Sequence, residues 1–126
     1  MQRTAVVLED EEDIRALITT VLTGAGYEVF ETANGLDAVE LVARHNPMLT
    51  TLDANVPGID GFEAARRIRE VSNTYVIMIS AFVEDADAER GRLAGADEYL
   101  GKPFRPRELR ARLEMVPDRR RDHGQS

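Results

Sequence analysis

The chain has 126 residues, 43% hydrophobic and 31% charged, with no cysteine and a net charge of −7. That length suits one domain with a sizeable core. The composition excludes a disulfide framework and thiolate chemistry, and the acidic balance argues against nucleic acid as the main partner of this domain. Absence of any run of about 18 apolar residues argues against a membrane span.

In chain order, Ala5-Val6-Val7-Leu8 reads as a buried parallel strand. Met1-Gln2-Arg3-Thr4 leads straight into it without a signal-peptide pattern, so the expected location is cytoplasmic. Five acids follow, Glu9 to Asp13. Ile14, Leu17, Ile18, Val21 and Leu22 then recur at helical spacing, predicting a helix over 12–24 whose first turn is acidic, as its dipole favours. Tyr27 to Glu31 alternates like a half-exposed edge strand. Asn34 can cap a second helix with Leu36, Val39 and Val42 inward, stopped by Pro47. Met48 to Leu52 is a third strand, in which Thr50 and Thr51 need hydroxyl partners if buried.

Asp60 to Glu63 has capping-box spacing, and Phe62, Ala65 and Ile68 form the inner face of the next helix. Tyr75 to Ser80 is the most apolar strand and is expected to be central. Residues 84–94 make a weakly amphipathic helix, expected to be the most adaptable element. Glu98-Tyr99-Leu100 is a short fifth strand. Pro106 suits the first turn of a last helix, with Leu109, Leu113 and Val116 inward and Pro117 as its stop. The expected domain is 1–117, with 118–126 as a disordered tail or the start of a linker.

Five strands alternating with five helices predict an α/β fold, a doubly wound, flavodoxin-like parallel sheet of order 2-1-3-4-5. That order sets the first and third strands side by side, bringing Glu9 and Asp10 against Asp53. Two carboxylates about 5 Å apart repel by roughly 3 kcal/mol at an effective dielectric near 20. One must be protonated, or a cation must bind. Hard oxygen donors with room for water suit magnesium or manganese. Ser80 and Lys102 close the neighbouring strand ends with a hydroxyl and an ammonium. Fifteen of the sixteen basic residues are arginine, and Lys102 is the only lysine. Together these groups can bind a phosphoryl group, which an aspartate can also accept covalently. A cis Lys102-Pro103 peptide would aim the lysine at the crevice.

These pieces together resemble the receiver domain of two-component response regulators. The matching segments are Val7-Leu8-Glu9-Asp10-Glu11, Leu52-Asp53, Pro57-Gly58-Ile59-Asp60-Gly61, Ile79-Ser80-Ala81, Ala94 to Leu100 and Lys102-Pro103-Phe104, and the likeness covers 5–116. It implies a phosphorylation-activated switch. Asp53 accepts a phosphoryl group from a sensor histidine kinase or phosphotransfer protein. Asp10, Asp53 and the backbone carbonyl of Asn55 hold magnesium, with Glu9 acting through water. Lys102 contacts the phosphoryl group, and Ser80 and Tyr99 move on its arrival. The face of the fourth helix, fifth strand and fifth helix then signals to a partner, an output domain or a second copy. Asn55 and Phe82 occupy positions that tune phosphoryl lifetime.

Departures from the family pattern are Thr50 and Thr51 in the third strand, Tyr75 where proline is common, and Arg105 where a capping residue is common. No activity beyond magnesium-dependent self-phosphorylation and autodephosphorylation is expected, so the chain is not read as an enzyme. A flavin carrier would share the topology, but its first loop holds a phosphate and five acids would repel one. A phosphatase with an aspartate nucleophile usually has a second aspartate where Asn55 stands. A receiver-like binding module that works without phosphorylation is the remaining alternative. Past Pro117 no effector domain is recognisable, consistent with a stand-alone receiver or a fragment.

Overall fold

The computed structural model describes residues 3–81 and 84–117. Expectations for Phe82 and for the tail at 118–126 therefore lie outside the described residues. The chain alternates β1 (Arg3–Leu8), α1 (Glu12–Gly24), β2 (Tyr27–Thr32), α2 (Gly35–His45), β3 (Leu49–Asp53), α3 (Gly61–Val71), β4 (Tyr75–Ser80), α4 (Asp85–Ala94), β5 (Glu98–Gly101) and α5 (Pro106–Leu113). The strands form one parallel sheet in the order β2-β1-β3-β4-β5, as the alternation predicts. Each strand is joined to the next in the chain by a helix, and the helices cover both faces of the sheet.

Side-chain alternation splits the core in two. On one face Val6, Leu8, Leu52, Val76 and Met78 meet Ala38 and Val42 of α2, Phe62, Ala65 and Ile68 of α3, and Ala94 of α4. On the other, Val7, Leu49, Ile77 and Ile79 meet Ile18 and Leu22 of α1 and Leu109 of α5. Every residue of β3 and β4 is buried. β4 is interior, as its apolar run predicts, and β3 lies in the middle of the sheet. β3 tolerates threonines there because one of them is paired: Thr50 and Thr74 share a hydroxyl hydrogen bond of 3.0 Å. Thr51 Oγ1 is buried with no hydrogen-bond partner among the described residues.

Local chemistry sets the helix starts. Asn34 Oδ1 accepts from the Leu36 and Asp37 amides, capping α2. Asp60 Oδ1 accepts from the Glu63 amide at 2.8 Å, capping α3. Arg105 offers α5 no side-chain cap, and Glu108 compensates by accepting from the Arg105 amide at 2.8 Å. Two expectations need correction. Leu36 is 48% exposed, because Gly35, Ala38 and Val42 carry the buried stripe of α2 and Leu36 lies about 100° round the helix from it. α5 ends at Leu113, so Val116 packs from beyond the helix. Among the described residues, no helix is long and apolar enough to cross a membrane.

Candidate functional site

The C-terminal ends of β1, β3 and β4 and the segment after β5 converge on one open cleft of 230 Å³. Asp10, Asp53, Asn55, Ser80 and Lys102 all line it. A parallel sheet forces this meeting: all strands end on the same edge, and the strand order reverses between β1 and β3. Asp53 is 5% exposed and Glu9 and Ser80 are buried, while Asp10 and Asn55 face solvent. Asp53 Oδ1 accepts from the Asn55 amide at 3.1 Å, and Oδ2 accepts from Lys102.

The turn after Asp53 is held by a close approach. The Gly61 amide donates to Ala54 O at 3.0 Å, and a Cβ on Gly61 would lie 2.2 Å from the Asp53 carbonyl oxygen. Any side chain here would push α3 off the strand end, so Gly61 lets α3 start directly against the carboxylate.

Lys102 answers the crowding of acids. Its Nζ lies 2.9 Å from Glu9 Oε1, 3.2 Å from Asp53 Oδ2 and 3.8 Å from Glu11 Oε1. The Lys102 amide donates to Ser80 O at 2.8 Å, tying it to the end of β4, and the Lys102-Pro103 peptide is cis. The ammonium offsets part of the repulsion, and burial acts on both partners. Burial pushes the Glu9 carboxyl up to about 7, with Lys102 and the Glu11 amide opposing and Asp53 adding to the rise. Burial also works against the Lys102 charge, but the hydrogen bond to Glu9 and the charges of Asp53 and Glu9 outweigh it and raise its pKa.

The residues fit a hard cation. Carboxylate oxygens of Glu9, Asp10 and Asp53 all lie within 4.8 Å of one another. Glu9 Oε1 is buried and has no hydrogen-bond partner among the described residues, since the Lys102 ammonium is near but poorly aligned with it. An oxygen-only set of this kind suits magnesium or manganese better than a softer metal.

Tyr99 stands apart from this cleft. It sits half-buried on β5 and packs against the α2–α3–α4 core. Sequence reasoning missed two features. One is an apolar groove of 290 Å³ beside the cleft, walled by Ile14, Leu17, Pro103 and Phe104 and sharing Glu11, Ala81 and Lys102 with it. The i, i+3 spacing of Ile14 and Leu17 could have signalled its α1 wall, although both were read as core. The other is the pairing of Lys102 with Glu9, which has no local signal because the two are 93 positions apart.

Comparison with known proteins agrees with this geometry. The chain is 39% identical over 111 residues to the transcriptional regulatory protein AfsQ1 of Streptomyces coelicolor, covering 88% of this chain and 49% of that protein. It thus spans about half the length of the curated relatives it matches. The chemotaxis protein CheY4 of Vibrio cholerae superposes with a TM-score of 0.86 at 27% identity, over 93% of this chain and 100% of that one. The receiver domain of a Pseudomonas aeruginosa sensor histidine kinase, solved with magnesium coordinated in its active-site cleft, gives 0.83 at 29%, over 92% and 98%. Residues 5–114 match the response regulator receiver domain, and the chain belongs to that family.

Proposed function

We propose that this domain is a phosphorylation-activated switch of a two-component system, with Asp53 as its phosphoacceptor. The observation that carries the reading is the Asp53 carboxylate at a strand end, with Lys102 Nζ 3.2 Å from Oδ2 and Glu9 and Asp10 alongside. In the transfer, an Asp53 oxygen attacks the phosphorus of a phosphohistidine on the donor protein. The new P–O bond forms as the P–N bond breaks, and the imidazole leaves. Lys102, already poised between two carboxylates, neutralises charge on the transferred group, and the Ser80 hydroxyl donates a hydrogen bond to it. Asp10, Asp53 and the Asn55 carbonyl would hold magnesium or manganese, with Glu9 behind them, and the ion would supply further charge neutralisation.

The apolar groove beside the cleft offers a seat for the donor's phosphohistidine-bearing surface, because it shares Lys102 with the reacting centre. Tyr99 and the α4–β5–α5 face pass the signal on, to a partner, to an output domain such as a transcriptional regulator would carry, or to a second copy. Chemistry is confined to self-phosphorylation and autodephosphorylation, and the domain works in the cytoplasm without contacting nucleic acid itself. The test is intact mass after incubation with acetyl phosphate and magnesium. Native protein should gain one phosphoryl group; Asp53→Asn, or chelation of the metal, should abolish the gain. No gain in the native protein, together with no beryllofluoride binding, would favour a binding module that works without phosphorylation.

A further inference from the structure

α4 buries little of its own surface. Gly91 and Ala94 are its buried residues, and Leu93 is 71% exposed. Yet Arg90 reaches across to α3. Its guanidinium carbon lies 4.0 Å from the centroid of the Phe62 ring, and its Nη2 lies 3.6 Å from Asp60 Oδ2. Asp60 therefore serves two elements, since its Oδ1 caps α3 through the Glu63 amide. Gly61, the next residue, is pressed against the Asp53 carbonyl. On the other side of Arg90 stands Gly91, where a Cβ would lie 3.0 Å from Tyr99 Cδ2 and 3.9 Å from Phe62 Cε1. A glycine inside a helix costs stability relative to alanine; here it gives the Tyr99 ring a seat on the helix backbone. Arg92, by contrast, pairs with Glu89 on its own helix. Contacts thus run from the Asp53 backbone through Gly61 and Asp60 to Arg90, whose guanidinium covers Phe62, and Phe62 and Tyr99 belong to the same apolar cluster.

We propose that Arg90 is a positioning residue, a latch that pins α4 to the N-terminus of α3. It holds Tyr99 on its Gly91 seat in the arrangement where Lys102 bonds the Asp53 carboxylate directly. The proposal rests on reading Asp53 as the phosphoacceptor. A shift of the loop 54–60 reaches Asp60 before it reaches any other contact of α4 described above. A contact made in one arrangement and lost in the other biases the two by its own strength. A part-exposed ion pair plus an arginine over an aromatic face amounts to about a three- to tenfold bias.

The experiment uses the three tyrosines, Tyr27, Tyr75 and Tyr99, as probes. Protein carrying 3-fluorotyrosine is titrated with beryllofluoride and magnesium and followed by fluorine NMR, the Tyr99 line being assigned from Tyr99→Phe. Arg90→Met keeps the side chain long and removes its charge. It should raise the apparent affinity for beryllofluoride about three- to tenfold. Before any beryllofluoride is added, it should also move the Tyr99 line toward its bound position. Asp60→Asn retains a capping side chain and should act in the same direction, more weakly, while Arg92→Gln should leave both readouts unchanged. An unchanged or weakened affinity in Arg90→Met, with the Tyr99 line where the native protein has it, overturns the latch alone. A native Tyr99 line that does not respond to saturating beryllofluoride overturns the switch reading and the latch together.

Discussion

α3 and α4 lie side by side on the same face of the sheet, but they are held there by different physics. α3 buries Phe62, Ala64, Ala65 and Ile68 and starts hard against Asp53. α4 buries a glycine and an alanine and is fixed largely through polar reach, with Arg90 over Phe62 and toward Asp60. Hydrophobic burial scales with area and tolerates little displacement in a close-packed interior. Ion pairs at a solvated surface are weak and can be exchanged at small cost. The element beside the carboxylate is therefore anchored, and the element that seats Tyr99 is adjustable, a division of labour that suits a switch.

The sharpest way to break this comparison is to truncate one side chain on each helix. Ile68→Ala should destabilise the fold by about 3 kcal/mol, since it leaves a cavity in a fully buried site. Leu93→Ala should change stability by no more than about 0.5 kcal/mol. Urea unfolding of the two variants measures both; comparable losses would erase the distinction.

A second test uses pH, because the buried acids Glu9 and Asp53 lie at the anchored strand ends, whereas the buried residues of α4 are a glycine and an alanine. The folded Glu9 carboxyl sits at about 7, above its ordinary value of 4.5. The folded state then binds more protons than the unfolded state between those values, so stability conferred by the protonated acid is present at low pH and is lost as pH rises. The loss should be on the order of 2 kcal/mol between about pH 4.5 and 7. Glu9→Gln should flatten that slope in denaturant titrations at pH 5 and pH 8. Local opening of α4, read by amide exchange corrected for intrinsic rates, should follow the Glu9 titration far less than global unfolding does.

Effects smaller than those at Ile68 and Glu9 come from the threonine pair of β3. Thr51→Val removes a buried hydroxyl that has no partner among the described residues, and should stabilise by about 1 kcal/mol. Thr50→Val breaks the bond to Thr74 and strands its hydroxyl, and should destabilise by about 1 kcal/mol. Opposite signs in thermal unfolding would show that strand anchoring here is set by hydroxyl pairing and not by β-branching, which both substitutions keep.

Most of the site was legible from residue order. Asp10, Asp53 and Ser80 fall at or just past the ends of apolar runs, and parallel strands bring such ends to one edge whatever the details of packing. The boundaries of α1 and the cap at Asn34 follow from local periodicity and hydrogen-bond chemistry, which act over a few residues. Leu36 was misplaced because the spacing fits more than one phase of the helix, and a glycine and an alanine, not the leucine, lie on the buried stripe. The interior place of β4 was legible, because a continuous apolar run must be covered on both faces and flanked on both sides.

By itself, the sequence determined the alternation of strands and helices, the parallel sheet and the gathering of three carboxylates, a hydroxyl and the single lysine at one edge. These follow from periodicity and from the few ways such units can connect. Only the tertiary structure decided that Lys102 is shared between Glu9 and Asp53, that Glu9 sits near neutrality, and that Arg90 bridges from α4 to Asp60 and Phe62. Each of those depends on the distance and burial of groups tens of residues apart. Electrostatic energy varies with separation and local dielectric, and the order of residues along a chain specifies neither until the chain is packed.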